Sequence, residues 1–141
     1  MKDNSMRTHV EFYSTQFPPY PDEEEQINPG IWGKRLAEHI KTCLQTHGIS
    51  SGEIFVEDWG VGIPIEGIEH NIWIGCASYQ NNENPDGFLC FIEPSKGYVR
   101  KWFRKIDIRE QIQRIADTID LILKNDPDIR DINWWKENEP G

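Results

Sequence analysis

The stretch Glu57-Asp58-Trp59-Gly60-Val61-Gly62-Ile63-Pro64, "EDWGVGIP", decides how the whole chain is read. Continued by two residues, Trp59, Val61, Ile63 and Ile65 alternate with Asp58, Gly60, Gly62 and Glu66. That is a period of two, with one apolar face and one small or polar face, and it predicts a β-strand. The glycines then leave room for a helix or a partner to approach the polar face. Downstream, "NIWIGCASYQ" is apolar on both faces, as a central strand is, and "NNENPDG" has turn chemistry. Phe88 to Ile92 resumes as a paired strand, and Pro94 and Gly97 close the unit. Three strands in quick succession make an antiparallel meander.

Working outward, Val10 to Phe17 is rich in β-formers and reads as a first strand, ended by Pro18, Pro19 and Pro21. "PDEEE" follows as an exposed acidic loop. Asn28-Pro29 is a helix-start signal, an Asn cap with Pro at the first helical position. Leu36, Ile40, Cys43, Leu44 and His47 recur at helical spacing, and Gly48 is a C-terminal stop. The spacing therefore predicts a helix over 29–47. Asp107-Ile108-Arg109-Glu110 reads as a capping box, and behind it Ile112, Ile115, Ile119, Ile122 and Leu123 line one face of a second helix to about Asn125. Pro127 stops it, and "DIRDINWW" adds either a short edge strand or a docked turn. The order is β-α-β-β-β-α. It predicts one α+β domain over 1–141, an antiparallel sheet of about four strands with two main helices on one face. No internal repeats are present.

Composition narrows the class. A chain of 141 residues with 37% apolar and 11% aromatic residues makes one domain with a real core. The N-terminus "MKDNSMRTHV" lacks the apolar segment of a secretory signal, and no apolar run approaches the ~20 residues of a membrane span. Three cysteines without CxxC spacing argue for reduced thiols, and hence for the cytoplasm. Net charge is −9, and it is uneven: residues 1–70 carry twelve acids against five bases, residues 71–141 twelve against ten. Such a surface repels nucleic acid and anionic membranes and steers toward basic proteins. No cofactor is implied, and oligomeric state is not encoded in any pattern here.

Four local patterns could carry chemistry. Asp58-Trp59-Gly60-Val61-Gly62-Ile63-Pro64 also spells the adenine-contacting box of histidine-kinase-type ATPases. That site needs an upstream helix presenting an Asn to Mg²⁺ and a Gly-rich lid downstream. The first helix offers only Asn28 at its cap, and Gly67, Gly75, Gly87 and Gly97 are scattered, so the strand reading holds. His39, Cys43 and His47 fall at i, i+4 and i+8 along one helix side, but nothing supplies a convincing fourth metal ligand, so no metal is expected. Cys76 and Cys90 read as small core residues on neighbouring strands rather than as nucleophiles beside His70. "RKWFRK" (100–105) mixes bases with aromatics, a pattern that can clamp single-stranded nucleic acid. In a chain of −9 its bases are expected to pair with the protein's own acids.

The blocks "FPPYPDEEEQINPGIWGKRLAEHI", "VEDWG", "WIGCASY", "GFLCFIEP" and "IRDINWW" together resemble small bacterial proteins associated with immunity functions in polymorphic toxin systems. The likeness is one of block order over most of the chain and includes no catalytic motif. It implies a single cytosolic domain that is no enzyme and that binds and neutralises a cognate toxin. A basic toxin would suit an acidic partner. The expected partner-binding residues are Asp22, Glu23, Glu24 and Glu25 with Glu57 and Asp58, and Tyr20 and Trp32 as aromatic anchors. Trp59, Trp73 and Trp102 are left to the core. The alternatives are an adaptor or regulatory protein-binding module, and after it a small ligand-binding domain or enzyme. Neither nucleic acid nor membrane is expected as a partner.

Overall fold

A computed structural model describes residues 6–68, 70–79 and 85–137, and the elements it contains follow the period-two and period-3.6 segments closely in the centre and less closely at the ends. In chain order they are β1 (Arg7–Tyr13), α1 (Glu23–Gln26), α2 (Lys34–Thr46), β2 (Phe55–Glu57), β3 (Gly60–Pro64) and β4 (Trp73–Ser78). There follow β5 (Gly87–Glu93), β6 (Tyr98–Lys101), β7 (Arg104–Asp107), α3 (Arg109–Lys124) and β8 (Arg130–Lys136). Six strands form one antiparallel sheet in the order β2-β3-β4-β5-β1-β8, and β6 and β7 form a separate hairpin. The fold is α+β, as expected, but with more strands than about four and with a third, one-turn helix.

Register explains how the two sheet faces are divided. Val56, Val61, Cys76, Cys90, Val10 and Trp134 lie opposite one another in one transverse row. That row belongs to the core face, where Val10, Phe12, Ile63, Ile74, Cys90 and Ile92 are fully buried. The helices close this face with Leu36, Ile40 and Leu44 from α2 and Ile112, Ile115, Ile119, Ile122 and Leu123 from α3. All of these except Val10, Phe12, Ile74, Cys90 and Ile92 were legible as one face of a helix or strand by periodicity alone. No helix among the described residues is long and apolar enough to cross a membrane.

Several boundaries differ for identifiable reasons. The first strand leaves the sheet after Tyr13 rather than at Phe17, because Phe17 turns inward and is buried in the core. The first long helix begins at Lys34, not at Pro29. Asn28 instead bridges to Ile31, and its side chain is held elsewhere. Gly48 does end it, with φ near 80, a conformation glycine takes without steric penalty. The capping box does not close: the helix starts at Arg109, and Asp107 Oδ1 accepts its backbone N–H at 3.0 Å. The Arg109 side chain and that N–H hold the Asp107 carboxyl at about 2. "DIRDINWW" resolves as an edge strand beside β1. Of the "NNENPDG" loop, residues 81–84 lie outside the described residues, and Pro85-Asp86 form a turn into β5.

Candidate functional site

The acidic run divides into one structural acid and several surface acids. Expected in an exposed loop, Glu23 is instead only 3% exposed. Its Oε2 accepts the backbone N–H groups of Gly33 and Lys34, both at 2.8 Å, and its Oε1 accepts that of Tyr20 at 2.9 Å. The first N–H groups of a helix have no intrahelical acceptor, and a carboxylate there also meets the positive end of the helix dipole. Gly33, at the cap position of α2, has no side chain to do this, so Glu23 caps the helix from a distance. Periodicity could not reveal it, because the capping residue stands eleven positions upstream of Lys34.

The two aromatic anchors are engaged inside the molecule. Trp32 is partly buried against the core, and its Nε1 donates to the Phe17 carbonyl at 3.1 Å. The Tyr20 hydroxyl donates to Glu38 Oε1, and the ring lies beneath the Arg35 guanidinium at 4.0 Å and near Lys34 Nζ at 5.4 Å. The hydrogen bond to Glu38, with burial behind it, raises the Tyr20 pKa. Both residues therefore order the chain around the start of α2.

Asp22, Glu24, Glu25, Glu57 and Asp58 are exposed, and none joins an ion pair among the described residues. Glu24 Oε1 accepts the Gly30 N–H at 2.7 Å, which fixes the turn after α1. Asn28 Nδ2 donates to the Asp58 carbonyl at 2.6 Å, joining this turn to the β2–β3 hairpin. Glu24, Glu25, Ile27, Asn28 and Pro29 line a shallow cleft of about 470 Å³ at the junction. The Asn28–Asp58 bond brings the surface acids Asp22, Glu24 and Glu25 alongside Glu57 and Asp58 in one ridge, from which the buried Glu23 is absent.

The ridge borders a feature that sequence reading missed. On the sheet face opposite the core, Phe55, Gly62, Gly75, Phe91, His9 and Trp135 form the next transverse row. Trp59 and Trp73, assigned to the core from sequence, lie on this face instead. Asp58-Trp59 is the two-residue turn between β2 and β3, so alternation does not govern Trp59. Its ring folds back to stack on Trp73 at 5.5 Å and meets Phe91 at 5.2 Å. Ring contacts then run from Phe55 through Trp73, Phe91 and His9 to Trp135. Most of these rings keep partial exposure. Burial lowers the His9 pKa, and burial together with Glu137 raises that of Glu93 on the same face. Each strand contributes a single ring to this chain of contacts, so no alternation within a strand announces it.

The residues of the remaining patterns contact neighbouring protein groups. Asn28 gives its amide to the Asp58 carbonyl, and Gly60 and Gly62 lie under neighbouring groups rather than in a lid. Calorimetry with ATP and Mg²⁺ is accordingly expected to show no saturable heat for wild type or Asp58→Asn. Micromolar binding lost in the variant would overturn the strand reading. Cys43 Sγ lies 3.8 Å from His39 Nε2, and His39 Nε2 lies 3.8 Å from Asp126, but His47 is exposed. No group of three or more such residues among those described is placed to hold a metal ion. Cys76 and Cys90 are buried cross-strand neighbours 3.7 Å apart, and their contact and burial push the Cys76 thiol well up. No family model, curated protein or solved structure matches the chain.

Proposed function

We propose that the protein acts by stoichiometric binding to a basic protein, as an immunity-type cytosolic inhibitor that occupies a cognate toxin. The observation that carries this reading is the meeting of an acidic ridge, free of ion pairs among the described residues, with a partly exposed aromatic sheet face. Aromatic residues ringed by charge are what protein interfaces use for affinity and for orientation, respectively. The aromatic row supplies area that is already ordered by strand pairing, so little side-chain entropy is lost on binding. The ridge supplies steering toward a cationic groove. Because Tyr20, Glu23 and Trp32 are engaged in ordering α2, the binding residues reduce to Glu24, Glu25, Glu57 and Asp58, with Asp22 beside them.

The test begins with co-purification from the native host and identification of what binds. Glu24, Glu25, Glu57 and Asp58 are then changed together to Lys. Asp22 is left alone because its φ of 67 suits Asp better than Lys. The variant is expected to associate roughly tenfold or more slowly, with an on-rate that loses its dependence on salt. Stopped-flow kinetics across a salt series provides the measurement. An unchanged on-rate removes the ridge from the interface, and a strongly acidic partner, or none, removes the proposal.

A further inference from the structure

The β6–β7 hairpin runs against the acidic character of the chain as a whole. Residues 98–107 carry four bases and one acid, while the whole chain is −9, so the remainder carries −12. None of the ion pairs among the described residues reaches Arg100, Lys101, Arg104 or Lys105. This corrects the expectation that they pair with the protein's own acids. Arg100 lies opposite Lys105, and Lys101 opposite Arg104, with the Tyr98 ring 5.9 Å from the Arg100 guanidinium and 4.5 Å from Lys105 Nζ. Like charges directly across a ladder destabilise it. At the turn, Trp102 and Phe103 are 87% and 99% exposed. Trp102 has φ 61, a left-handed conformation that bulky residues seldom adopt. Three features that weaken an isolated hairpin coincide within six residues. Strain of this kind persists at functional segments.

We infer that the hairpin is a docking element for an anionic phospholipid surface, with Trp102 and Phe103 entering the interface and the four bases meeting headgroup phosphates. The order along the hairpin axis argues for this partner. Both rings stand at the extreme tip, and the bases form a collar immediately behind them. Trp and Phe favour the membrane–water boundary, and clustered Lys and Arg hold anionic headgroups. Between Lys101, Trp102, Arg104, Ile106 and His70 lies a cleft of about 430 Å³, room for a phosphate between cations. A single-stranded nucleic acid is met differently, by rings laid flat along a groove that tracks several phosphates.

The acidic remainder does not forbid the contact. Val99 and Ile106 pack against the core, and from them the hairpin runs about 10 Å of backbone to its turn. Both rings at that turn are almost wholly exposed. Fixed charges are screened over ~8 Å at physiological ionic strength, so a surface touching the tip feels the collar far more than the body. Repulsion of the body then orients the molecule tip-down.

Flotation with vesicles tests the inference. Wild type is expected to float with vesicles of equal parts phosphatidylcholine and phosphatidylserine and to remain unbound with phosphatidylcholine alone. Changing Trp102 and Phe103 together to Ser should lower partitioning by roughly tenfold or more, as should changing the four bases to Gln. Both variants lie outside the core, so far-UV circular dichroism should be unchanged. In wild type, binding should shift tryptophan emission to the blue, and Trp102→Phe should lose that shift while still floating. No flotation with anionic vesicles overturns the inference. So does equal flotation of the four-Gln variant. Tight binding to a single-stranded oligonucleotide that displaces protein from vesicles would reassign the hairpin to nucleic acid, and salt-sensitive self-association would reassign it to the acidic ridge of a second copy.

Discussion

Glu23→Ala is expected to lower the free energy of unfolding by about 3 kcal/mol, while Glu24→Ala, which loses one exposed hydrogen bond, costs about 1 kcal/mol and Glu25→Ala no more than ~0.5 kcal/mol. Three adjacent acids, chemically near-identical in the unfolded chain, separate by where their oxygens go. Removing the Glu23 carboxylate strips the acceptor from the N–H groups of Gly33, Lys34 and Tyr20. A buried donor left without a partner costs about 1–3 kcal/mol, and loss of a helix cap alone costs about 1. Water can reach part of the site, since Lys34 and Tyr20 are not fully buried, which keeps the total below the sum of three orphaned donors. Glu23→Gln should fall between the two, because its carbonyl can still serve α2 while its amide meets the Tyr20 N–H donor to donor. Urea denaturation followed by tryptophan fluorescence gives the comparison, and a melting temperature lower by about 6–12 °C should accompany the alanine change. A Glu23→Ala variant as stable as Glu24→Ala would show that α2 needs no remote cap. The same result would return Glu23 to the surface acids. Binding experiments that reverse all four acids of residues 22–25 together would confound unfolding with lost affinity.

What could be read from the chain in advance follows from the range of the interactions involved. Val61, Ile63 and Ile65, or Ile112, Ile115 and Ile119, announce themselves because alternation and helical spacing are local and repeat. Asn28-Pro29 misled because a cap signal is also local, whereas the helix start is set by Glu23 and by the pairing of Trp32 with Ser78, which no nearby residue encodes. The small strands β2, β6 and β7 are three or four residues long, too short for a period to emerge. β8 could be recognised as apolar but not as a partner of β1, more than a hundred residues away in sequence. The acids of the ridge can be picked out one by one from the sequence, yet their grouping rests on the Asn28–Asp58 contact. The aromatic face was missed for a related reason: each ring alone looks like core, and only the register shows Phe55, Phe91, His9 and Trp135 in one row.

That row gives the second large effect. Gly75→Ala is expected to cost about 2–3 kcal/mol, and most of that cost should vanish in a Phe91→Ala background. A Cβ on Gly75 would lie 2.3 Å from Phe91 Cζ, well inside any real contact. Phe91 cannot swing away freely, because His9, Trp59 and Trp73 hold its ring on several sides. Insertion of one methyl must therefore displace a stack of rings, not one side chain. With Phe91 gone the three nearest atoms to that methyl are removed, and alanine in a strand is more favourable than glycine by about 0.5–1 kcal/mol. A double-mutant cycle on urea midpoints should then give a coupling of about 2 kcal/mol or more. Gly62→Ala provides the contrast. Its added Cβ would be closer still, 2.0 Å from Phe55 Cζ, yet Phe55 stands on the edge strand and among the described residues meets only the ring of Trp73. Phe55 can rotate outward, so the cost should be smaller despite the shorter approach. Equal costs at the two glycines would mean that the backbone, not the ring stack, limits the space. Independence of Gly75→Ala from Phe91 would mean that the aromatic row is a set of separate surface rings, and would weaken its claim to be a pre-ordered binding face.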